Sequence, residues 1–330
     1  MTDPAARLAP AVRLAPAKLN LTLAVVGRRP DGYHALHSVM VPLALADRLS
    51  VAALPAGEDT LRSEGFDPGP AADNLVLRAI ALTREAVRAQ RAAPPLACRL
   101  DKRVPVAAGL AGGSSDAAAA IGGALEAWGA DLDAERRYAI ALRLGSDVPF
   151  FLVEAAALVE GRGERVTPLH GVRDAPDGVQ HRPGILLVTP AVPAHTAAVF
   201  AAWSEGAMNE PGVARRTSEH FASEFGSGLT IRALLERAGV LASANDLWPA
   251  AAAVVPGLAS LRRALTRLLT RPIGLSGSGP TLWALYPSPG EAESAAATVE
   301  AALDAATLTS PGETRPFVVA TTIQPNRRDG

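Results

Sequence analysis

The chain has 330 residues, 48% of them hydrophobic and 20% charged, which is enough for two domains and a sizeable core. Lys plus Arg is 32 and Asp plus Glu is 33; the net charge of −1 argues against general nucleic-acid binding, which needs a basic face. The single cysteine, Cys98, excludes an internal disulfide framework and a Cys-based zinc site, and it is expected as a small buried core residue.

The N-terminal stretch MTDPAARLAPAVRLAPAKLN lacks the long apolar core of a signal peptide. No run of about 18 uninterrupted apolar residues marks a membrane span, so a cytoplasmic chain with no membrane partner is expected. Nearly all basic residues are Arg; only Lys18 and Lys102 are lysines. A position that keeps Lys points to a need for a compact ammonium with rotatable donors and an adjustable pKa.

In chain order, VRLAPAKLNLTLAVVG (12–27) reads as a strand or a strand pair on which Lys18 and Asn20 share one face. GRRPDGYH (27–34) is a turn with Pro and Asp-Gly signals. LHSVMVPLALADRLSVAAL is further strand, 55–74 a loop, and NLVLRAIALTREAVRAQ (74–90) a helix. LACRLDKRVPV (96–106) is a strand that leads into PVAAGLAGGSSDAAAA (105–120), with a helix from about Ser114 to Trp128. LDAERRYAIALRLGSDVPFFL (132–152) is a helix that stops at Gly145, with Pro149 preventing its resumption. Residues 155–169 form a strand hairpin, and the polar stretch 170–184 is taken as the boundary between domains 1–170 and 171–330.

Beyond it, ILLVTP (185–190) is a buried strand, HTAAVFAAW (195–203) a helix and 205–228 a mobile loop. TIRALLERAG, NDLWPAAAAVVPGLASLRRALTRL and GEAESAAATVEAALDAA are helical; TLWALYP and PFVVATTI are strands. Strands and helices mixed without strict alternation favour an α+β class.

Two glycine-rich segments and one carboxylate carry the chemistry. In 105–120, a helix N-terminus offers unpaired N–H groups and a partial positive charge, and the glycines let an anion approach the backbone. Ser114 and Ser115 add hydroxyls for phosphate oxygens or Mg²⁺. The spacing fits neither a Walker A loop nor the dinucleotide G-x-G-x-x-G, so a Gly-rich helix cap with no ligand is the competing reading. GLSGSGPTLWAL (274–285) is a second phosphate wall or a simple turn, and it lacks the fifth-position glycine of a serine-hydrolase elbow. Asp147 in GSDVPFF is either a cap residue or a carboxylate able to take a proton. The six histidines show no metal-binding spacing, and Glu160 and Glu164 read as hairpin charges.

Together, PAKLNL, GRRPDGYH, PVAAGLAGGSSDAAAA, GSDVPFF and GLSGSGPTLWAL resemble the GHMP kinase superfamily in order and spacing, over about residues 14–323. AKLNL followed by GRRPDGYH, the Asp of GGSSDAA and NDL at 245–247 are similar to its 4-diphosphocytidyl-2-C-methyl-D-erythritol kinase branch. The resemblance implies a two-domain α+β fold. Its N-terminal domain has the ribosomal protein S5 fold, its C-terminal domain is an α/β sandwich, and the active site lies in the cleft between them. It implies transfer of a phosphoryl group from ATP to the 2-hydroxyl of a substrate carrying a cytidine diphosphate group, in the non-mevalonate route to isoprenoid precursors.

The resemblance matches Lys18 and Asp147 to the family's catalytic pair. It matches Pro105, Ala107, Ala108, Gly109, Leu110, Ala111, Gly112, Gly113, Ser114 and Ser115 to the ATP phosphate loop, and Gly277, Ser278 and Gly279 to a second glycine loop. Asn20, Tyr33, His34 and Phe200 match positions that grip the substrate and its cytidine. The implied cofactors are ATP and Mg²⁺, the metal on Ser114 or Ser115; the implied assembly is a monomer or homodimer. In that chemistry Asp147 accepts the hydroxyl proton, and Lys18 stabilises the developing alkoxide and pairs with Asp147. Ala111 stands where many relatives have Gly. The competing readings are a related kinase acting on homoserine, mevalonate or a sugar, and a ligand sensor of the same fold that does not catalyse.

Overall fold

The computed structural model describes residues 10–70, 73–88, 91–173, 182–206 and 213–326. In chain order the elements are β1 (Ala11–Asn20), β2 (Ala24–Arg28), β3 (His34–Ala53), β4 (Thr60–Gly65), α1 (Leu75–Val87), β5 (Leu96–Lys102), α2 (Gly112–Trp128), α3 (Ala134–Leu144) and α4 (Val148–Phe151). There follow β6 (Ala157–Gly161), β7 (Arg165–Pro168), β8 (Gly184–Thr189), α5 (Thr196–Gly206), α6 (Val213–Gly226), α7 (Ile231–Glu236) and α8 (Ala238–Ser243). The chain ends in α9 (Trp248–Val254), α10 (Leu258–Leu269), β9 (Gly274–Leu275), β10 (Leu282–Tyr286), α11 (Pro289–Asp304) and β11 (Phe317–Thr322).

Two compact units interleave along the sequence. Met1–Ala17, Ala46–Val106 and Gly112–Leu152 form the first; Lys18–Leu45, Ala107–Ala111 and Val153–Gly330 form the second. The position 170/171 falls inside the last segment of the second unit, and β1 and β3 each contribute residues to both units. Of the stretch 170–184, residues 174–181 lie outside the described residues.

In the first unit, the end of β3 pairs antiparallel with β5, from Arg48↔Asp101 to Ala53↔Leu96, and β4 pairs parallel with β5. The period of two in β5 buries Leu96, Cys98, Leu100 and Lys102. Cys98 is buried as expected, and burial pushes its thiol pKa up to about 12. Helix α1 is capped by Asn74, whose side chain accepts from Val76 N, and it buries Val76, Ala79, Ile80, Thr83 and Val87 at helical spacing. In α2 the run of small residues lets the helix sit close to its neighbours: Ala117, Ala120, Ile121, Ala124 and Leu125 are all buried.

Three expectations need correction here. Part of the loop expected at 55–74 is strand β4, hidden because TLRSEG is mostly exposed and polar, as an edge strand tends to be. Pro149 does not prevent a helix: it sits in the first turn of α4, where a missing N–H costs nothing. Helix α2 begins at Gly112, two residues before the expected start at Ser114.

In the second unit, the first half of β3 pairs antiparallel with β2 and β6, and β6 with β7. A separate antiparallel sheet has the order β11-β8-β10-β9. Strands β8 and β10 read as continuous apolar runs because every residue in them is buried. Leu186, Val188, Leu282 and Ala284 from this sheet share a core with Ala251 of α9, Leu261 and Leu265 of α10, and Ala292 and Val299 of α11.

The loop expected over 205–228 is corrected to helix α6 across Val213–Gly226, while 207–212 lie outside the described residues. Its buried residues Ser218, Phe221, Ala222 and Phe225 follow helical spacing, but the charges between them obscure the pattern in sequence. The long helix expected after NDL is two helices, α9 and α10, separated at 255–257 by a break containing Pro256 and Gly257.

Candidate active site

The segment Ala107–Ala111, between β5 and α2, has left-handed φ at Ala107 (52°), Gly109 (74°) and Ala111 (53°). Two of these carry a Cβ, a strain of about 1–2 kcal/mol each. The first four carbonyls of the segment are engaged within the second unit. Ala107 O accepts from Ala194 N (3.4 Å), Ala108 O from Thr281 N (3.4 Å) and Leu110 O from Lys18 N (3.0 Å). Gly109 O accepts from Lys18 Nζ (2.7 Å) and Ser276 Oγ (2.9 Å). A planar trans peptide sets N–H opposite C=O, so the N–H groups of Ala108, Gly109, Leu110 and Ala111 are directed away from those partners. Backbone of this kind forms an anion-binding concavity. Gly109 is required: besides its φ, a Cβ there would strike the Ser276 carbonyl and lie 3.1 Å from Gly279 N.

Strand alternation puts Lys18 and Asn20 on one face of β1, and both are buried. Lys18 Nζ donates to Asn20 Oδ1 at 2.5 Å. The second glycine loop, with Gly277, Ser278 and Gly279, is the turn between β9 and β10. Gly277 has φ 56°, and a Cβ there would lie 3.0 Å from Lys18 Nζ and 3.3 Å from Asn20 Oδ1. Asn245 holds this turn, donating through Nδ2 to Leu275 O (3.0 Å) and Gly277 O (2.9 Å). Its Oδ1 accepts from Leu247 N at 2.9 Å. The hydroxyls of Ser278 and Thr196 are 3.1 Å apart. Sequence reasoning noted NDL but gave Asn245 no role; its signal was an Asn placed to bond the backbone two residues on.

In the first unit, Pro105 is buried, and Gly112, Gly113, Ser114 and Ser115 form the first turn of α2. The Ser115 hydroxyl is buried and has no hydrogen-bond partner among the described residues. A buried hydroxyl left unmade is costly, so this atom fits a bound oxygen-seeking group such as Mg²⁺.

Lys102 lies buried between Asp47 and Asp116. Its ammonium pairs with Asp47 Oδ2 and, at 2.9 Å, with Asp116 Oδ2. Asp47 Oδ1 accepts from Arg103 N (2.5 Å) and Val104 N (2.8 Å), while Asp116 Oδ1 has no hydrogen-bond partner among the described residues. Burial raises the Asp116 pKa to about 7; Lys102 opposes the rise and Asp47 adds to it. Both lysines of the chain are thus buried among polar partners. Composition singled them out; of their partners, Asp116 was noted in GGSSDAA without a role, and Asp47 was missed.

Asp147 occupies the N-cap position of α4, at φ −90° and ψ −10°, and makes no capping hydrogen bond. Its carboxylate is therefore not spent on the helix. It belongs to the first unit, whereas Lys18 belongs to the second.

The GRRPDGYH turn is closed by Arg29 N donating to Tyr33 O (2.8 Å) and by Tyr33 N donating to Asp31 Oδ1 (3.2 Å). Arg29 also pairs with Glu164 at 2.9 Å, so Glu164 does more than charge a hairpin. The His34 ring stacks on Phe200 with centroids 5.0 Å apart and an 18° interplanar angle, and meets Trp203 edge-on at 5.3 Å. Burial lowers the His34 pKa, and Arg28 lowers it further, so the ring favours its neutral form. Tyr33 is 54% exposed, with the Arg162 guanidinium 5.5 Å from its ring centre. The structure thus brings His34 and Phe200 together. It adds Trp203, which sequence reasoning missed although it lies on the same helix, three residues on. Such a set of rings can take a planar base by stacking.

The sequence pattern of GHMP kinase N-terminal domains matches residues 74–155. A 4-diphosphocytidyl-2-C-methyl-D-erythritol kinase of Symbiobacterium thermophilum is 52% identical over 155 residues, covering 46% of this chain and 53% of that protein. The enzyme of that name from Pelotomaculum thermopropionicum is 38% identical over 272 residues, covering 82% of this chain and 88% of that protein. A crystal structure of 4-(cytidine 5'-diphospho)-2C-methyl-D-erythritol kinase is similar with a TM-score of 0.67 and 32% identity, covering 95% of this chain and all of that one. The chain belongs to the 4-diphosphocytidyl-2-C-methyl-D-erythritol kinase family of GHMP kinases.

Proposed function

We propose that this chain transfers the γ-phosphoryl group of ATP to the 2-hydroxyl of 4-diphosphocytidyl-2-C-methyl-D-erythritol, giving the 2-phosphate and ADP. The observation that carries this reading is the meeting of the Lys18 ammonium, the Gly109 carbonyl and the Gly277 turn beside a backbone segment whose N–H groups are free to face an anion.

Phosphoryl transfer is mostly positioning and charge stabilisation. The amides of Ala108–Ala111 and the start of α2 hold the phosphates. Mg²⁺ supplies charge neutralisation when bound, and Ser115, with Ser114 as the alternative, is the residue that would hold it. Lys18 stabilises the developing charge from a fixed position, because its side chain is already held by Asn20 and Gly109. Asp147 accepts the hydroxyl proton. A carboxylate is a weak base toward an alcohol, so the proton moves late, once the transition state is loose. The ring set His34, Phe200 and Trp203, with Tyr33 beside it, takes the cytosine, and Asn20 contacts the acceptor.

No helix among the described residues is long and apolar enough to cross a membrane. We place the enzyme in the cytoplasm, as a monomer or homodimer acting on a small molecule. The test is product analysis with ATP, Mg²⁺ and the cytidyl acceptor. The reading predicts ADP in equal amount to an acceptor heavier by one phosphoryl group; no ADP above background overturns it.

A further inference from the structure

We propose that Ser38 is a positioning residue for this reaction, fixing the rotation of the Asn20 amide and, through it, the aim of the Lys18 ammonium. The proposal rests on the kinase reading above, in which Lys18 acts at the transferred group.

The direction of each hydrogen bond follows from which groups can donate. Ser38 lies on β3 and is fully buried, beside Asn20 and Thr22. Its Oγ is 2.5 Å from the Thr22 carbonyl oxygen. A carbonyl only accepts, so the single hydroxyl proton of Ser38 is committed there. The Ser38 oxygen can then only accept from the Asn20 amide, 2.8 Å away, which requires Nδ2 at that place. The amide oxygen is thereby turned to Lys18, whose ammonium only donates, at 2.5 Å.

A flipped amide would set NH₂ against the ammonium and its oxygen against a hydroxyl whose proton is already used. Both contacts would fail at once, in a buried place where an unmade bond is most costly. With Asn20 Oδ1 and Gly109 O as acceptors, two of the three Lys18 N–H bonds have fixed directions.

The anchor is itself held. The Thr22 hydroxyl accepts from Val39 N at 3.0 Å and lies 2.7 Å from Ser218 Oγ of α6. Ser218 Oγ is 2.8 Å from His37 Nδ1. Residues on β3 and α6 therefore hold Thr22, whose carbonyl orients Ser38. The Ser38 hydroxyl bonds to Asn20 and Thr22, so its effect reaches the reaction through Asn20 and Lys18.

The experiment compares kcat and both KM values of the wild type, Ser38→Ala and Ser38→Thr. Ser38→Ala is expected to lower kcat about tenfold, the size of one misplaced hydrogen bond, with both KM values within about twofold. Ser38→Thr keeps the hydroxyl and is expected to restore kcat to within about threefold. Ser38→Ala at full kcat overturns the proposal, as does a variant whose loss is entirely in KM or in folded fraction. If Ser38→Ala does not fold, Ser38→Cys preserves the shape with a weak donor, and full kcat there overturns the proposal equally. A wild type inert toward the cytidyl acceptor fails differently: it overturns the kinase reading, and the positioning role with it.

Discussion

The Lys18 ammonium and the Gly109 carbonyl oxygen stand 2.7 Å apart, joining strand β1 to the segment 107–111. Each fixes the other: the carbonyl aims the ammonium, and the ammonium helps turn the peptide so that its N–H faces away. Ser276 Oγ reinforces the same carbonyl.

Lys18→Arg tests the compact ammonium. The site is buried and bounded by Asn20 and Gly277, and a planar guanidinium cannot reproduce the point-like ammonium held there. Turnover is expected to fall by about a hundredfold or more although the charge is kept. Steady-state kinetics check this, and calorimetry with ATP shows whether the phosphate segment survives.

Gly109→Ala tests the loop itself. The substitution meets both a left-handed φ and the Ser276 carbonyl, so it is expected to cost about 1–3 kcal/mol of stability and most of the ATP affinity. Gly113→Ala is the control for stability: its nearest obstacle is Leu75 Cδ1 at 4.0 Å, and the expected change is within about 0.5 kcal/mol. Urea unfolding of both variants decides it.

Lys102→Met removes the cation between two buried carboxylates. It is expected to destabilise by about 3–5 kcal/mol, because Asp47 and Asp116 are left buried without the cation they share. Adding Asp116→Asn to Lys102→Met should recover part of that loss. Denaturant midpoints of the single and double variants measure the recovery.

His37 gives a pH dependence with a definite sign. Burial lowers its pKa most; Arg215 adds to this, while Glu160 and Glu219 oppose it. The folded protein therefore prefers the neutral ring, whereas an unfolded His takes a proton near about 6.5. The stabilisation is present above that value and is lost as the pH falls below it. Between pH 7 and pH 5 the urea midpoint of the wild type should fall further than that of His37→Gln.

What the sequence revealed was local. Lys18 and Asn20 were placed on one face because a strand alternates with period two. Strands β8 and β10 were legible as apolar runs, and the phosphate loop as glycines opening a helix. What stayed hidden is long-range or polar. Strand β4 buries no residue, so it shows no apolar alternation, and the charges of helix α6 submerged its burial pattern. Asp47 meets Lys102 across 55 positions, and Thr22 meets Ser218 across 196; no local pattern encodes either meeting. Ser38 and Trp203 were missed for the same reason: their partners come from elsewhere in the fold, as do the two carbonyls that Asn245 holds.

The most direct test measures ADP release from the purified protein with ATP and Mg²⁺, comparing 4-diphosphocytidyl-2-C-methyl-D-erythritol with homoserine, mevalonate and galactose as acceptors. The account predicts turnover with the cytidyl acceptor alone, and loss of that turnover in Asp147→Asn while ATP still binds. Turnover with another acceptor, or an Asp147→Asn variant at full rate, would contradict it.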